Sequence, residues 1–186
     1  VPIEAGEIIN INKIQRGYQN LLRLEFFENI NPELERVESE ENIAKLVINL
    51  EEAKTGRLNF GGGYSSTDGW LGFVDVSEKN LLGNGQNIGA KWQFGDTTTY
   101  SLNFYEPYLW QSKYSFSFSI YDRESERTNS ADQDYIRESR GGSVSFGRPL
   151  PKEWRTTLRY RAQNTEEYWS DGSGKIYDNS LRSLSL

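Results

Sequence analysis

The chain of 186 residues contains no cysteine, no histidine and no methionine. Without cysteine and histidine it lacks thiol nucleophiles, imidazole bases and the commonest zinc ligands. We therefore expect neither metal-dependent nor triad-type catalysis. The missing methionine also leaves the chain without an initiator residue, so we expect a mature or excised piece of a longer protein.

Basic residues are scarce relative to acidic ones. Lysine and arginine number 21 against 27 aspartates and glutamates, which gives a net charge of −6. Affinity for nucleic acids comes from basic side chains that neutralise phosphates, so a nucleic-acid partner is not expected. Most of the acidic excess lies in residues 1–55, whereas all five tryptophans lie in residues 56–186. This asymmetry predicts two domains with these bounds.

Long apolar runs are absent as well. No stretch approaches the roughly 18 apolar residues of a membrane-spanning helix, and the mean hydropathy is −0.73. These values exclude helical spans only, because a transmembrane β-barrel keeps half of each strand polar and has a low average hydropathy. The distinction must come from the periodicity of the sequence.

Residues 10–52 predict a helix followed by a β-hairpin. Apolar residues recur at steps of three and four, which predicts an amphipathic helix from Asn10, its N-cap, to about Glu25. The strands Phe27–Val37 and Ile43–Glu52 follow, with polar residues 39–42 as their turn. A helix on a two-stranded hairpin is small for a stable core, so we expect a further strand or helix before the first residue.

After residue 56 the helical period disappears and segments of about ten residues alternate polar and apolar side chains, the length that a tilted strand needs to cross a bilayer. These segments predict a mainly β chain that forms an antiparallel transmembrane β-barrel, with a soluble β-sandwich as the less favoured alternative. The eight predicted strands are Arg57–Tyr64, Trp70–Lys79, Gln86–Gly95, Thr99–Glu106, Lys113–Asp122, Gly141–Arg148, Trp154–Tyr168 and Lys175–Leu186.

Several of these strands have one apolar and one polar face. In the third, Ile88, Ala90, Trp92 and Phe94 share a face, and in the fifth, aromatic residues alternate with serines. The alternation is broken in the second and eighth strands, where we expect a bulge or a strand end.

The connections between the strands differ in length. Residues 80–86, 107–113 and 148–153 are compact and predict inner turns, whereas residues 123–140 and 169–175 predict longer external loops. Aromatic residues near the strand ends predict girdles at the two membrane interfaces. The predicted girdle residues are Trp70, Trp92, Trp110, Trp154 and Trp169, with Tyr108 on the inner side and Tyr64 and Tyr121 on the outer side.

The first predicted barrel strand contains the consecutive glycines Gly61, Gly62 and Gly63. Glycine inside a strand weakens packing and marks a bend, a bulge or the close approach of another backbone. Two interpretations remain open: a bend required by barrel closure, or a strand that separates easily from its partner.

Acidic residues do not predict an active site. The adjacent Glu166 and Glu167 point to opposite faces of a strand, and Asp132 and Asp134 fall in a predicted loop. The motifs GGGY and GNG are followed neither by a helix nor by GK[ST], so turn and strand geometry explain them better than phosphate binding.

Three arginines of the seventh strand, Arg155, Arg159 and Arg161, share its polar face. In a barrel lumen they could select anions. We predict instead that they pair with lumen carboxylates such as Asp75 or Glu106, because like charge is costly to bury without a partner.

Four stretches together resemble the outer-membrane assembly factors of the BamA type, which join POTRA domains to a barrel. LLRLEFFENINPELE (21–35) resembles the helix end and second strand of a POTRA domain. LVINLEEAKTGRLNFGGGYSSTDG (46–69) resembles its final strand passing into the first barrel strand. SEKNLLGNGQ (77–86) and YSLNFYEPYL (100–109) are similar to the first two periplasmic turns of the family. The opening strand and helix of the last POTRA domain and the family's Arg-Gly-Phe-type motif have no match here.

The resemblance implies a partial POTRA domain in residues 1–55 and the N-terminal half of a sixteen-stranded barrel in residues 56–186. It implies a non-enzymatic protein without cofactor or metal that inserts β-barrel proteins into the outer membrane. The first barrel strand would form a lateral gate at which client strands add by β-augmentation, and the strand Phe27–Val37 would form a second client-binding edge. The implied gate edge is Arg57, Leu58, Asn59, Phe60, Gly61, Gly62, Gly63 and Tyr64, and the implied periplasmic turns are at Asn80, Leu81, Leu82, Gly83, Pro107 and Tyr108.

The implied partners are outer-membrane lipid, unfolded outer-membrane protein clients and accessory periplasmic lipoproteins, with the POTRA part in the periplasm. Two alternatives remain open: a protein-translocating secretion pore of the same superfamily, and a passive small membrane barrel. Two copies could also form a homodimer by pairing exposed barrel edges.

Overall fold

A computed structural model describes residues 3–37, 43–66, 69–151 and 154–186. The chain divides into two compact units, Val1–Thr55 and Gly56–Leu186. In the described residues no helix combines the length and the apolar character that crossing a membrane requires.

The first unit begins with helix α1, Ile11–Leu24. The Asn10 side chain caps it, because its Oδ1 accepts hydrogen bonds from the backbone N–H groups of Asn12 (2.9 Å) and Lys13 (3.4 Å). The helix ends at Glu25, which adopts the left-handed conformation and donates its N–H to the carbonyl of Leu22. The predicted helix and its cap are confirmed.

Strands β1 (Phe27–Arg36) and β2 (Ala44–Glu52) follow and pair as an antiparallel hairpin. Both predicted strands are confirmed to within a residue or so, while the predicted turn at residues 39–42 lies outside the described residues. Apolar side chains of the helix and the hairpin face one another around one small gap, lined by Ile14, Tyr18, Leu21, Ile30, Pro32, Leu46 and Ile48. This contact is the core of the unit.

The second unit is one antiparallel sheet in which each strand pairs with its neighbours in the chain, so that β3 and β10 are the edges. The strands are β3 (Gly56–Ser65), β4 (Gly69–Leu81), β5 (Gln86–Gly95), β6 (Thr97–Glu106), β7 (Ser115–Thr128), β8 (Asp134–Pro149), β9 (Arg155–Trp169) and β10 (Lys175–Ser185). A short 3-10 helix, Leu109–Gln111, lies between β6 and β7. The mainly β, antiparallel fold with eight strands in this region is confirmed.

The prediction of a long external loop at residues 123–140 is wrong. Strands β7 and β8 stay paired as far as Thr128 and Asp134, which leaves only residues 129–133 as their turn. The alternation of polar and apolar residues stops near residue 122 because both faces become polar there. The backbone ladder continues without that signal.

The register gives the whole sheet one simple parity. Ser143, Ser119, Asn103, Gly89, Ser77 and Arg57 lie side by side across six strands, so the odd-numbered residues share a face, here called the wet face. The even-numbered residues form the opposite face, here called the apolar face. The sheet has register shifts between Glu78 and Leu81 and between Lys175 and Tyr177.

These shifts partly confirm the predicted irregularities of the second and eighth barrel strands. The shift in β4 lies beyond Glu78 and not at the point where alternation fails, because Leu71, Phe73 and Asp75 pair regularly with β3 and share the wet face. Leu181 likewise lies on the wet face of β10, whereas Leu184 lies on the apolar face.

Apolar side chains of the sheet are exposed. Among the described residues no apolar side chain is fully buried, and Phe60 and Trp70 on the apolar face are 80% and 69% exposed. A water-soluble domain of this size would bury such residues in a core. The continuous apolar face therefore requires an apolar surrounding such as lipid.

Candidate functional site: the β3 edge and the two faces of the sheet

Strand β3 presents an unoccupied edge in the described sheet. All ten of its residues pair with β4, from Gly56 opposite Glu78 to Ser65 opposite Gly69, without a register shift. Apolar side chains on this strand are strongly exposed, for example Leu58 at 64% and Tyr64 at 68%. A long, regular edge strand is a template on which another strand can pair through its backbone.

The consecutive glycines of β3 have different surroundings. A Cβ atom on Gly61 would lie 3.0 Å from Cε1 of Phe73, whose ring covers this glycine on the wet face. A Cβ on Gly62 would lie 3.1 Å from the carbonyl oxygen of Leu71, and a Cβ on Gly63 would meet no atom within 4 Å. Gly61 makes room for a neighbouring ring, whereas Gly63 has no steric need to be glycine.

The register also bears on the two interpretations of these glycines. The strand has no bulge at Gly61, Gly62 or Gly63 and pairs regularly with β4 there. Because glycine has no side chain, these residues make no side-chain contacts of their own with a neighbouring strand. They therefore reduce the packing of the strand without shifting its register.

The first predicted periplasmic turn is a compact loop between β4 and β5. Gly83 N–H donates to the carbonyl of Asn80 (3.0 Å), and the Asn80 side chain accepts from Gly85 N–H (2.7 Å). Leu82 has a positive φ of 54° and is 86% exposed. A leucine in a left-handed conformation costs free energy, because its side chain crowds the backbone there.

The second predicted turn, around Pro107 and Tyr108, lies at the same end of the sheet. Glu106 holds it, because its carboxylate accepts from Tyr108 N–H (2.8 Å) and from Gln86 Nε2 (2.5 Å). Trp110 extends from this turn with 88% exposure. Glu106 has even parity and so cannot serve as a lumen partner for arginine.

Aromatic side chains dominate the middle of the apolar face. Trp92 stacks on Tyr100 with ring centroids 6.3 Å apart, and Phe104 stacks on Phe118 at 5.6 Å. A groove of about 640 Å³ beside Trp92 is lined by Val74, Val76, Ala90, Tyr100, Leu102 and Ile120. Such a surface fits acyl chains.

The predicted girdle residues divide between the two faces. Trp70 and Trp92 have the parity of the apolar face, and Tyr64 contacts Trp70 edge-on at 5.4 Å. Trp154 lies just before β9 and is 71% exposed. Trp169 lies opposite Tyr135 and, like Tyr121, has the parity of the wet face. The register therefore gives no support for placing these last two in a girdle that faces lipid.

The prediction that the strand β9 arginines pair with lumen carboxylates is wrong for the described residues. Arg155 donates to the hydroxyl of Tyr105 (3.3 Å) and Arg159 to that of Ser145 (3.1 Å), both on the wet face. Asp75 instead accepts from the side chain of Asn59 (3.2 Å). Around Arg155 and Arg159 the wet face therefore offers hydroxyl groups as hydrogen-bond partners.

Sequence reasoning missed a charged layer beyond the apolar band. Arg140 lies between Asp122 and Glu138, at 3.1 Å from each carboxylate. Nearby, Lys175 contacts Asp178 (2.6 Å) and Glu166 (3.4 Å). Residues of opposite charge at positions that face one another across neighbouring strands could have predicted this layer, since such pairs stabilise a sheet.

The acidic residues considered as catalytic pairs lie on different faces or in a turn. Glu167 pairs with Arg137 (2.6 Å) on the wet face, whereas Glu166 bonds the hydroxyl of Tyr168 on the opposite face. Asp132 lies in the turn between β7 and β8. None of these carboxylates flanks a common position with another.

An antiparallel sheet with a continuous apolar face and a polar opposite face has the architecture of part of a membrane β-barrel wall. The second unit is of this class, because its strands are antiparallel, aromatic residues line its apolar face and its first strand is an exposed edge. The sequence profile of the Omp85 superfamily domain matches residues 80–183, more than half of the chain. The chain belongs to the Omp85 superfamily.

Curated relatives include assembly factors. The chain is 25% identical over 159 residues to "Outer membrane protein assembly factor BamA" of Neorickettsia risticii, a match that covers 85% of this chain and 21% of that protein. It is 25% identical over 177 residues to the protein of the same name from Nitratidesulfovibrio vulgaris, covering 94% and 22%. The chain thus spans about a fifth of the length of these relatives.

Solved structures share the fold. BamA from Haemophilus ducreyi lacking POTRA domains 1–3 superposes with a TM-score of 0.76 at 18% identity, over 98% of this chain and 38% of that one. CdiB from Acinetobacter baumannii superposes with a TM-score of 0.58 at 15% identity, with the same coverage. At these identities the likeness establishes the arrangement of the strands.

Proposed function

We propose that this chain is part of an outer-membrane protein assembly factor and that β3 is the edge at which client strands join the barrel. The observation that carries the proposal is the regular, exposed edge of β3, ten residues long, with β4 as its partner on one side. The names of the curated relatives support the same activity.

The physical basis is β-augmentation. A client strand that adds to β3 gains backbone hydrogen bonds that do not depend on its sequence, so one edge can accept many clients. Gly61, Gly62 and Gly63 reduce the side-chain contacts that hold β3 to any neighbour. A strand that closes the barrel against β3 would therefore be displaced at a lower cost than one packed on branched side chains.

The remaining elements have matching proposed roles. The first unit is the end of a POTRA domain in the periplasm, and the turns at Asn80–Gly83 and Pro107–Tyr108 face the same compartment. Exposed Leu82 and Trp110 on these turns are suitable contacts for accessory periplasmic lipoproteins or for the membrane interface. The apolar face contacts outer-membrane lipid.

A disulfide that locks the edge tests the proposal. In the full-length protein containing this chain, one cysteine replaces Gly63, where an added Cβ meets no atom within 4 Å. The second is placed at the facing position of the strand that closes the barrel. Oxidation should reduce insertion of a client barrel into proteoliposomes at least tenfold, and reduction should restore it.

The matched control ties two strands that are already paired. Cysteines replacing Gly89 and Asn103, which lie opposite one another on β5 and β6, should leave insertion unchanged under oxidation. Undiminished insertion with the β3 edge locked would refute the gate. If that result came with passage of an unfolded protein across the vesicle membrane, a secretion pore of the same superfamily would be the better description.

A further inference from the structure

The two faces of the sheet carry opposite charge. The net charge of −6 conceals this separation, which appears only when the register assigns each strand residue to a face. Basic side chains dominate the wet face of the described strands; they are Arg57, Lys91, Arg123, Arg127, Arg137, Arg155, Arg159 and Arg161. The carboxylates that share this face are Asp75 and Glu167.

These carboxylates do not neutralise the β9 arginines. Glu167 is 2.6 Å from Arg137, and Asp75 accepts a hydrogen bond from Asn59. Arg155 and Arg159 donate to neutral hydroxyl groups, which satisfy a donor but leave the charge of the guanidinium uncompensated. The positive potential of this part of the wet face is therefore available to a negatively charged partner.

A cleft in the same region has room for such a partner. It measures about 380 Å³ and extends over strands β5 to β9. Arg159 and Arg161 line it together with Asn103, Ser119 and Ser143. The hydroxyl and amide groups can hydrogen-bond a peptide backbone, while the arginines can bind carboxylates in bidentate fashion.

The spacing of the arginines favours an extended polypeptide. Arg159 and Arg161 are two residues apart on one face of a strand, a separation of about 7 Å. Acidic side chains at alternate positions of an extended segment repeat at the same distance. Arg155 lies on the same face four residues before Arg159, with Thr157 between them. An extended segment with alternating acidic residues can therefore place a carboxylate opposite each of the three arginines and one opposite the Thr157 hydroxyl.

We propose that the wet face binds acidic polypeptide segments in extended conformation, along the row Arg155, Arg159 and Arg161. Charge complementarity identifies this occupant, and the row lies on the face opposite to the aromatic, lipid-compatible one. The inference does not depend on strand addition at β3. Binding along this row can exist with or without a working gate.

Fluorescence anisotropy of a labelled peptide tests the proposal on the full-length protein in lipid nanodiscs. The probe is a ten-residue peptide of alternating glutamate and threonine, compared with the same peptide carrying glutamine for glutamate. The variant R155Q/R159Q/R161Q should weaken binding of the glutamate peptide about tenfold, as three partly screened ion pairs are lost. The variant R155K/R159K/R161K keeps the charge but loses the bidentate geometry, so its affinity for the glutamate peptide should lie between those of the parent and of the glutamine variant.

The matched control removes the same charge from the opposite face. R140Q/R148Q/R182Q should change the affinity less than twofold, because these residues have the parity of the apolar face. Equal weakening by both glutamine variants, or equal affinity for the glutamine peptide, would overturn the proposal. Tighter binding of a single-stranded oligonucleotide of the same charge would overturn the assignment of the partner as a polypeptide.

Discussion

The three glycines of β3 differ in what they permit. Gly61 lies under the ring of Phe73, and the Nζ atom of Lys91 lies 5.3 Å from the centroid of that ring. Gly63 faces open space. A ring that covers a strand glycine replaces some of the packing that the glycine lacks. The pairing of β3 with β4 is therefore supported by side-chain packing at Gly61, whereas Gly63 adds no such packing.

We predict that alanine at these two positions has different effects on stability. Gly63→Ala should stabilise the sheet by about 0.5 kcal/mol, because alanine loses less conformational freedom on folding. Gly61→Ala should be about 1 kcal/mol less stable than Gly63→Ala, because its Cβ displaces the Phe73 ring. Urea unfolding in detergent micelles, followed by tryptophan fluorescence, measures both, and equal stabilities would contradict the described position of Phe73.

At the scale of elements, the sequence predicts a strand accurately where its two faces differ. Strand β5 has the predicted bounds, Gln86–Gly95, because apolar residues alternate with polar ones between two glycines. Helix α1 is equally well marked by its apolar spacing and by the Asn10 cap. In both elements the local pattern and the final environment agree.

Strands β7 and β8 show where such prediction stops. Beyond residue 122 both faces of these strands are polar, and residues such as Glu124, Arg127 and Glu138 are indistinguishable from a solvated loop. Backbone pairing and cross-strand ion pairs such as Arg140–Asp122 hold the ladder together. The predicted lumen ion pairs of Arg155 and Arg159 are wrong for a related reason. Strand parity shows which residues share a face, but not which hydroxyl group lies within reach of an arginine.

Hydrogen exchange measures this extension of the sheet. Amides of residues 123–128 and 134–140 should exchange at least a hundredfold more slowly than those of the turn at residues 129–133, because paired strands protect their N–H groups. Mass spectrometry with peptide-level resolution is sufficient. If all amides of residues 123–140 exchanged as fast as those of the turn, these residues would form the long loop that the sequence predicts and not paired strands.

At the scale of the whole molecule, one sheet presents three different surfaces. Its apolar face fits lipid, its wet face is polar and positively charged, and its β3 edge offers unpaired backbone. The apolar face and the polar wet face can both be predicted from the sequence, because the alternation of apolar and polar residues is a local signal. The charge of the wet face becomes visible only when all strands share one register.

The chain belongs to the Omp85 superfamily, and its apolar and polar faces are those of part of a membrane β-barrel wall. Under the function proposed above, incoming client strands pair with β3 and not with the interior of the sheet. Disulfide trapping tests it most directly in the full-length protein, with a cysteine replacing Gly63 on β3 and, separately, a cysteine replacing Gly89 on β5. The client carries a single cysteine in its terminal strand.

A gate at β3 should give a disulfide between the client and position 63 during assembly, at a yield at least tenfold above that at position 89. Gly89 is the matched control because it lies on the wet face of a strand paired on both sides. Equal trapping at both positions, or trapping at position 89 alone, would contradict a gate at β3.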